Sequence, residues 1–216
     1  MVAVTVRAGS KAEMALPDGT FVHLNAATNL EYDVNNSKQR LVKLSGEAFF
    51  DVAKNPDCPF KVIINDLQIE VVGTSFNVKT YKKDIVETSL LSGRIRISGG
   101  SLPHEYTLSP GQKATYSAMD RTLRISKADA HVEAGWRDNY LIFESTPLID
   151  VIAQIERWYG VEIRLHHKQI AQDLLSGSFR NESIQNVIRS LSIQYGFKYE
   201  IHKDLSLIHI SEPTRL

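Results

Sequence analysis

The chain has 216 residues, with 25 lysines and arginines against 25 aspartates and glutamates, so its formal net charge is zero. Hydrophobic residues make up 43% and charged residues 23%, values that exclude wholesale disorder. The neutral balance excludes a strongly basic nucleic-acid binder. The single cysteine, Cys58, excludes an internal disulfide and cysteine-rich metal sites, and no apolar run is long enough to cross a bilayer.

Residues 1–126 are predicted to form an all-β domain. Short apolar or alternating segments recur there between turn residues, and no segment has a helical period. Pro17-Asp18-Gly19 indicates a reversal, and Asn65-Asp66 a two-residue hairpin turn. The spacing predicts roughly a dozen strands, but a sandwich, a barrel and a short solenoid all remain open. The predicted strands after the alternating N-terminus are Ala12–Leu16, Thr20–Leu24, Leu41–Leu44, Ala48–Val52, Phe60–Ile64, Leu67–Val72, Phe76–Tyr81, Ile85–Leu91, Arg94–Ile97, Gln112–Ser117 and Thr122–Ser126.

The composition changes near residue 127. Lys127–Gly135 carries few apolar residues, which indicates a linker or a short surface helix, and residues 127–139 are assigned to this connection. Beyond it, residues 140–204 contain an internal repeat with an offset of 36 residues. The matched pairs include Phe143 with Phe179, Leu148 with Ile184, Val151 with Val187, Ile152 with Ile188, Ile155 with Leu191, Tyr159 with Tyr195 and Gly160 with Gly196.

Each repeat is predicted to be a strand, a helix of about 12 residues and a second strand. The apolar positions of the first helix fall on one face, and Gly160 and Gly196 stand where a glycine ends a helix. Pro147 and Ser183 mark the two helix starts. We therefore expect two right-handed βαβ units that bury their helical stripes together, giving a mainly β protein with an α+β C-terminal domain.

The segment Leu205–Arg215 does not extend either repeat. Its residues match the translation of a transposase adapter that is used in sequencing libraries. We therefore predict that residues 205–216 are a non-native tail, that the natural protein ends near Asp204 or continues differently, and that the tail carries no function.

Several residues of types that serve in chemical sites are better explained by structural roles. His166 and His167 are adjacent residues that follow a predicted strand, so their side chains are expected to point in opposite directions. This favours two solvent-exposed histidines over a shared metal site. Asp18 and Glu47 could act as an acid–base pair only if the fold brought their carboxyl groups together. The favoured interpretation is structural, because the Pro17-Asp18-Gly19 turn uses the Asp18 side chain for local hydrogen bonds. Trp136 and Trp158 are expected to pack in a core or between domains. The sequence predicts no metal site and no cofactor.

Gly73-Thr74 is the one candidate catalytic position. It interrupts two apolar strands, and its favoured interpretation is a bulge or tight bend that glycine permits. The alternative is self-cleavage, in which the Thr74 hydroxyl attacks the Gly73 carbonyl and water opens the resulting ester. That reaction needs strain and a nearby base in addition to the hydroxyl.

These motifs together resemble the FecR family of membrane-anchored sigma-factor regulators. The resemblance covers most of residues 5–117, and the repeat is similar to the C-terminal domain of the Bacteroidetes members and to the short N-terminal signalling domain of secretins and TonB-dependent transducers. The segments that carry it are Leu16–Thr20, Val22–Ala26, Leu44–Val52, Pro59–Val62, Val71–Val78, Leu90–Ile95 and Leu108–Gln112.

The resemblance implies a relay rather than an enzyme. A typical member holds an extracytoplasmic-function sigma factor through a cytoplasmic segment, crosses the inner membrane once and continues into a periplasmic region like this chain. An outer-membrane TonB-dependent receptor, engaged in iron or glycan uptake, would contact the C-terminal domain, and proteolysis would release the sigma factor. The cytoplasmic segment and the membrane helix are expected in a longer parent protein. Some members cleave themselves at the position of Gly73-Thr74.

Two alternatives of other classes remain. A carbohydrate-binding β module would need exposed aromatic platforms, and the chain has only two tryptophans. A self-cleaving module would need the Gly73-Thr74 reaction. Binding of the receptor's signalling domain is expected on a strand edge or a helix face of residues 140–202.

Overall fold

The computed structural model of the chain describes residues 1–33, 40–165, 168–201 and 207–211. The chain divides into two units. The N-terminal unit comprises Met1–Val6 and Lys11–Ala134, and the C-terminal unit comprises Arg7–Ser10 and Gly135–Leu216. His166 and His167 lie outside the described residues.

The N-terminal unit is built from strands that follow one another closely, as the frequent turn residues predict. Its only helix in the described residues, α1, spans Ala130–Ala134. The strands are β1 (Val2–Val6), β2 (Ala12–Ala15), β3 (Phe21–Leu24), β4 (Thr28–Tyr32), β5 (Arg40–Ser45), β6 (Glu47–Asp51), β7 (Phe60–Ile64), β8 (Leu67–Val71), β9 (Ser75–Lys79), β10 (Ile85–Ser92), β11 (Ile95–Gly99), β12 (Tyr106–Leu108), β13 (Gln112–Ser117) and β14 (Thr122–Lys127).

These strands form two seven-stranded sheets that share one hydrophobic core. The first sheet has the order β1-β4-β5-β7-β8-β11-β12 and the second the order β14-β13-β10-β9-β6-β3-β2. Their pairs are antiparallel except for β5 with β7. The fold is therefore a β-sandwich, one of the three architectures that the sequence left open.

Period-two patterning explains how the sandwich core forms. In β7, Phe60, Val62 and Ile64 are buried while Lys61 and Ile63 are only partly so. The turn after β7 has Asn65 at a φ of 55° and returns the chain into β8 as the sequence predicts. Two strands, β4 and β12, were not predicted.

The C-terminal unit contains two helices and five strands in the described residues. Its helices are α2 (Leu148–Tyr159) and α3 (Ile184–Tyr195). Its strands are β15 (Tyr140–Pro147), β16 (Glu162–Leu165), β17 (Leu174–Arg180), β18 (Lys198–Ile201) and β19 (Leu207–Ser211), and short 3-10 helices occupy Gly135–Asp138 and Lys168–Gln172.

The two helices follow the predicted pattern closely. The apolar stripes Leu148, Val151, Ile152, Ile155 and Ile184, Val187, Ile188, Leu191 are all buried in one core. Gly160 and Gly196 end the helices in left-handed conformations, with φ of 69° and 67°. The Ser183 hydroxyl caps α3 by accepting from the Asn186 amide at 3.3 Å, whereas Pro147 precedes α2 without a side-chain cap.

The sheets of this unit differ from the predicted pair of right-handed βαβ units. The two strands of each repeat lie in different sheets: β15 pairs antiparallel with β17, and β16 and β18 flank β19. Among the described strands, no parallel crossover joins the two strands of one repeat, so the handedness rule does not apply. The first strands of the two repeats pair with each other, and the second strands both pair with β19. The strand–helix–strand order of each repeat is therefore confirmed, whereas the predicted right-handed crossover within each repeat was wrong.

The third sheet depends on β19, which lies in the segment that was predicted to carry no function. β19 runs parallel to β16 and antiparallel to β18, so it is the central strand between them. Ile208 and Ile210 are 0% and 1% exposed and belong to the core of the unit. The foreign origin of the tail stays a prediction, but the segment is an integral strand of this fold.

Among the described residues, none of the helices has the length and apolar character that spanning a bilayer requires.

Candidate functional site

Gly73 and Thr74 lie where the chain passes from one sheet of the sandwich to the other. β8 belongs to the first sheet and β9 to the second, and Val72–Thr74 connects them. The Val52 amide donates to the Thr74 carbonyl at 3.0 Å and the Asn55 amide to the Val72 carbonyl at 2.7 Å. The interruption is thus a crossover between sheets.

Glycine is required at position 73 by close approach. A Cβ added there would lie 2.9 Å from the Lys54 Cα, a distance that real Cβ atoms do not tolerate. This contact gives Gly73 a structural reason that does not invoke chemistry.

The Thr74 hydroxyl is buried and hydrogen-bonded to the backbone. It donates to the Arg94 carbonyl at 3.1 Å and accepts from the Arg94 amide at 3.4 Å. A backbone carbonyl takes no proton at neutral pH, so this arrangement does not activate the hydroxyl as a nucleophile. The neighbouring carboxylate of Asp51 accepts from the Ser75 hydroxyl at 2.7 Å. An intact bend stays the favoured prediction at this bond, and self-cleavage stays the alternative to it.

We expect the purified chain to keep one intact mass during prolonged incubation. Replacing Thr74 by valine should lower the free energy of unfolding by about 1–3 kcal/mol, because the Arg94 amide loses its buried acceptor, while Thr74→Ser should retain most of that stability. Mass spectrometry and urea unfolding measure these outcomes. Fragments that end at Gly73 and begin at Thr74, and that disappear in Thr74→Val, would instead make the hydroxyl a nucleophile.

Asp18 is held by a buried arginine. The Arg40 Nε donates to its Oδ2 at 2.6 Å, and the Thr20 amide and hydroxyl donate to the same carboxylate at 3.0 and 2.9 Å. The Arg40 side chain is 3% exposed and also donates to the Thr20 hydroxyl and to the carbonyls of Cys58 and Ala53. Arg40 therefore joins the Pro17-Asp18-Gly19 turn to the strands around it.

Glu47 has a different set of partners. Its two carboxylate oxygens accept from the Asn25 amide group at 2.7 Å and from the Asn77 amide group at 3.0 Å, and all three residues are buried. Asp18 and Glu47 thus each have their own structural partners, as the turn chemistry of Asp18 indicated. Sequence spacing did not identify Arg40, Asn25 or Asn77, because only the strand order brings them together.

The Asp18 cluster predicts a loss of stability in acid. Burial alone would raise the pKa of Asp18, but hydrogen bonds from the Thr20 amide and the Arg40 guanidinium outweigh it and hold the pKa below its ordinary value of 3.8. A lowered carboxyl pKa stabilises the folded state above 3.8, and this contribution is lost as the pH falls below it. Unfolding of Asp18→Asn should consequently depend less on pH in this range, and an unchanged slope would contradict the assignment.

A second ionic cluster fixes α1, which the sequence suggested only as a linker or surface helix. The Lys113 ammonium lies 2.9 Å from both the Glu87 and the Glu133 carboxylates, and the Ser89 hydroxyl donates to Glu133 at 2.8 Å. Burial alone would lower the pKa of Lys113, but these two carboxylates raise it. Glu133 therefore holds α1 against β10 and β13.

The two repeats of the C-terminal unit differ at their helix ends. The Tyr159 hydroxyl donates to the Glu182 carbonyl at 2.8 Å, and burial together with the Glu182 charge raises the pKa of Tyr159 to about 12. The matching hydroxyl of Tyr195 is buried and has no hydrogen-bond partner among the described residues. The two repeats therefore resemble each other in their buried apolar residues but differ in the hydrogen bonds of these matching tyrosines.

The surface of the chain offers few aromatic platforms. Trp136 is buried and Trp158 packs against the core of the C-terminal unit, while Phe21 is 38% exposed. Within the described part of the chain, no cluster of three or more histidine, cysteine, aspartate or glutamate side chains is arranged to hold a metal ion. The surfaces that remain as candidates are strand edges and helix faces of the C-terminal unit.

Each of the two units matches a known family model. The model described as FecR protein matches residues 2–96, and the model described as FecR, C-terminal, matches residues 140–208. Two crystal structures of a protein assigned as an anti-sigma factor from Parabacteroides distasonis ATCC 8503, at 1.65 and 2.50 Å resolution, are each similar with a TM-score of 0.87 and 29% sequence identity. Both alignments cover 99% of this chain, and they cover 100% and 99% of the other chains. None of the curated proteins matches the sequence.

Proposed function

Because the chain belongs to the FecR family, we propose that it is the periplasmic sensing region of a membrane-anchored anti-sigma factor. In this proposal its C-terminal unit receives a signal from an outer-membrane TonB-dependent receptor that takes up iron chelates or glycans. The parent protein holds an extracytoplasmic-function sigma factor through a cytoplasmic segment joined to this region by a membrane helix. The role is regulatory and requires no catalysis by this chain.

The similarity to an anti-sigma factor over nearly the whole of both chains supports this proposal. The fold adds a physical argument, since the C-terminal unit has a hydrophobic core of its own, separate from that of the sandwich. A unit with its own core can hold the strands and helices of its surface in place without packing into the core of the sandwich. This independence is the observation on which the assignment of recognition to the C-terminal unit depends.

A sigma-dependent reporter tests the proposal in cells. Val187 is 0% exposed, so Val187→Asp in the complete regulator introduces an unpaired buried charge and disrupts the C-terminal unit. We expect the reporter to stop following the receptor's ligand. The matched control is Ser190→Asp on the exposed side of α3, which should leave the response unchanged. A normal response from Val187→Asp, with the variant protein present at the wild-type level, would contradict the proposal.

A further inference from the structure

A turn near the start of the chain belongs to the C-terminal unit. Arg7–Ser10 joins β1 to β2, two strands of the sandwich, yet these four residues are part of the C-terminal unit. The Ser10 amide donates to the Arg7 carbonyl at 3.2 Å, and Gly9 has a φ of 78°, which favours glycine. The chain therefore passes between the two units three times, twice of them at this turn.

The turn satisfies a backbone group at the C-terminal end of α2. The last four carbonyls of a helix have no partner within the helix. Within the C-terminal unit, the Gly9 amide donates to the Arg157 carbonyl at 2.8 Å, and the Gly160 amide donates to the Glu156 carbonyl, also at 2.8 Å. Gly9 therefore caps α2 from another part of the chain and makes the turn part of the end of this helix.

Two glycines allow this close approach. A Cβ added at Gly9 would lie 3.1 Å from the Tyr159 carbonyl oxygen, and one added at Gly160 would lie 3.1 Å from the Ala8 carbonyl oxygen. Both distances are tighter than nearly all contacts of real Cβ atoms, and the neighbouring atoms are backbone, which no side-chain rotation moves away. The Arg7–Ser10 turn and the end of α2 therefore meet backbone against backbone.

The second repeat provides an internal comparison. Gly196 ends α3 as Gly160 ends α2, with a φ of 67° against 69°. A Cβ added at Gly196 would meet no atom of the described residues within 4 Å. The two helix ends thus require the same left-handed conformation, but of the two only Gly160 is in close contact with another segment. This contact comes from the turn and is not a property of the repeat.

Strand β1 is the element of the sandwich that this turn affects most directly. It is an edge strand of the first sheet, pairs only with β4 among the described strands, and continues directly into Arg7. Of its five residues only Val6, beside the turn, is buried. An edge strand with few buried side chains opens at a low free-energy cost, so its opening depends on how its ends are held.

We propose that the Arg7–Ser10 turn couples the C-terminal unit to the first strand of the sandwich. The end of α2 holds the turn, the turn holds β1, and a change in the C-terminal unit reaches β1 by this route. In one state the turn is bound to α2 and β1 is closed, and in the other the turn is released and β1 opens more often. This inference goes beyond the proposed function, because it concerns transmission within this chain and requires no receptor.

Hydrogen exchange of the complete chain tests the coupling with a matched pair of variants. Gly160→Ala and Gly196→Ala impose the same left-handed strain on the C-terminal unit, but only Gly160→Ala also displaces the turn from α2. We expect amide exchange along Val2–Val6 to be about fivefold faster than in the wild type, or more, in Gly160→Ala, and unchanged in Gly196→Ala. β12, the opposite edge strand of the same sheet, should keep its wild-type rate in both variants.

A second pair of variants changes the turn itself. Gly9→Ala and Gly111→Ala carry the same conformational penalty, because the two φ values are 78° and 79°, but a Cβ at Gly111 meets no described atom within 4 Å. Gly9→Ala should lower the melting midpoint of the C-terminal unit by about 4–8 °C, whereas Gly111→Ala should leave that midpoint unchanged.

Three results would overturn the coupling. The first is equal exchange along β1 in the two helix-end variants. The second is an equal increase at β1 and β12, which would mean a general loosening of the sandwich. The third is an equal midpoint of the C-terminal unit in the two turn variants, a result that stays decisive if Gly160→Ala fails to fold.

Discussion

A chain in which Ile208 and Ile210 are both replaced by serine is expected to lose the unfolding transition of the C-terminal unit and to keep that of the sandwich. Both side chains are essentially fully buried, and truncation of each buried isoleucine costs about 2–5 kcal/mol. The sum approaches the whole stability of a small domain, which is typically about 5–15 kcal/mol. Loss of β19 would also leave the facing edges of β16 and β18 unpaired.

Calorimetry and near-ultraviolet circular dichroism measure this result. The matched control replaces both residues by valine, which keeps the apolar pattern and should cost about 0.5–1.5 kcal/mol for each substitution. If the serine variant retained the full transition of the C-terminal unit, β19 would not be a structural strand. The tail would then be dispensable, as the sequence predicts.

Replacing Arg40 by alanine is expected to destabilise the sandwich by about 3–5 kcal/mol, because removal of one partner leaves the Asp18 carboxylate without its buried charge partner. The carbonyls of Cys58 and Ala53 lose their donors at the same time. Arg40→Lys should recover only part of this loss, since an ammonium does not reproduce the geometry of the guanidinium. Urea unfolding followed by fluorescence measures the change.

Arg96→Ala is the control for Arg40. Arg96 lies on the same sheet and is ion-paired with Glu70, but its side chain is 51% exposed. Exposed ion pairs contribute about 0–1 kcal/mol, so this substitution should have a small effect. Equal losses in the two variants would mean that the Arg40 contacts do not hold the sandwich together.

The parts of the fold that follow a local pattern could be predicted from the sequence. The apolar stripes and terminal glycines of α2 and α3 identify both helices, and period-two segments identify most strands of the sandwich. The missed strands lack such signals. β4 follows Ala27, a non-glycine residue with a φ of 53°, without a glycine or proline turn, and β12 has only three residues.

The long-range contacts could not be predicted, because sheet topology determines them. Arg40 is 22 positions from Asp18, and Asn77 is 30 positions from Glu47, so no local spacing marks either pair. The pairing of β15 with β17 is equally invisible in the repeat, which specifies similar units but not which strands associate. The position of β19 between β16 and β18 requires only two alternating apolar side chains to face the core. A segment of any origin can supply this pattern.

Titration of the purified chain with the receptor's signalling domain tests the central claim most directly. The account predicts saturable binding by the wild-type chain, retained by Arg96→Ala and lost when Ile208 and Ile210 are both serine. Absence of binding by the wild type, or equal affinity of the serine variant, would show that the C-terminal unit is not the surface that recognises the receptor.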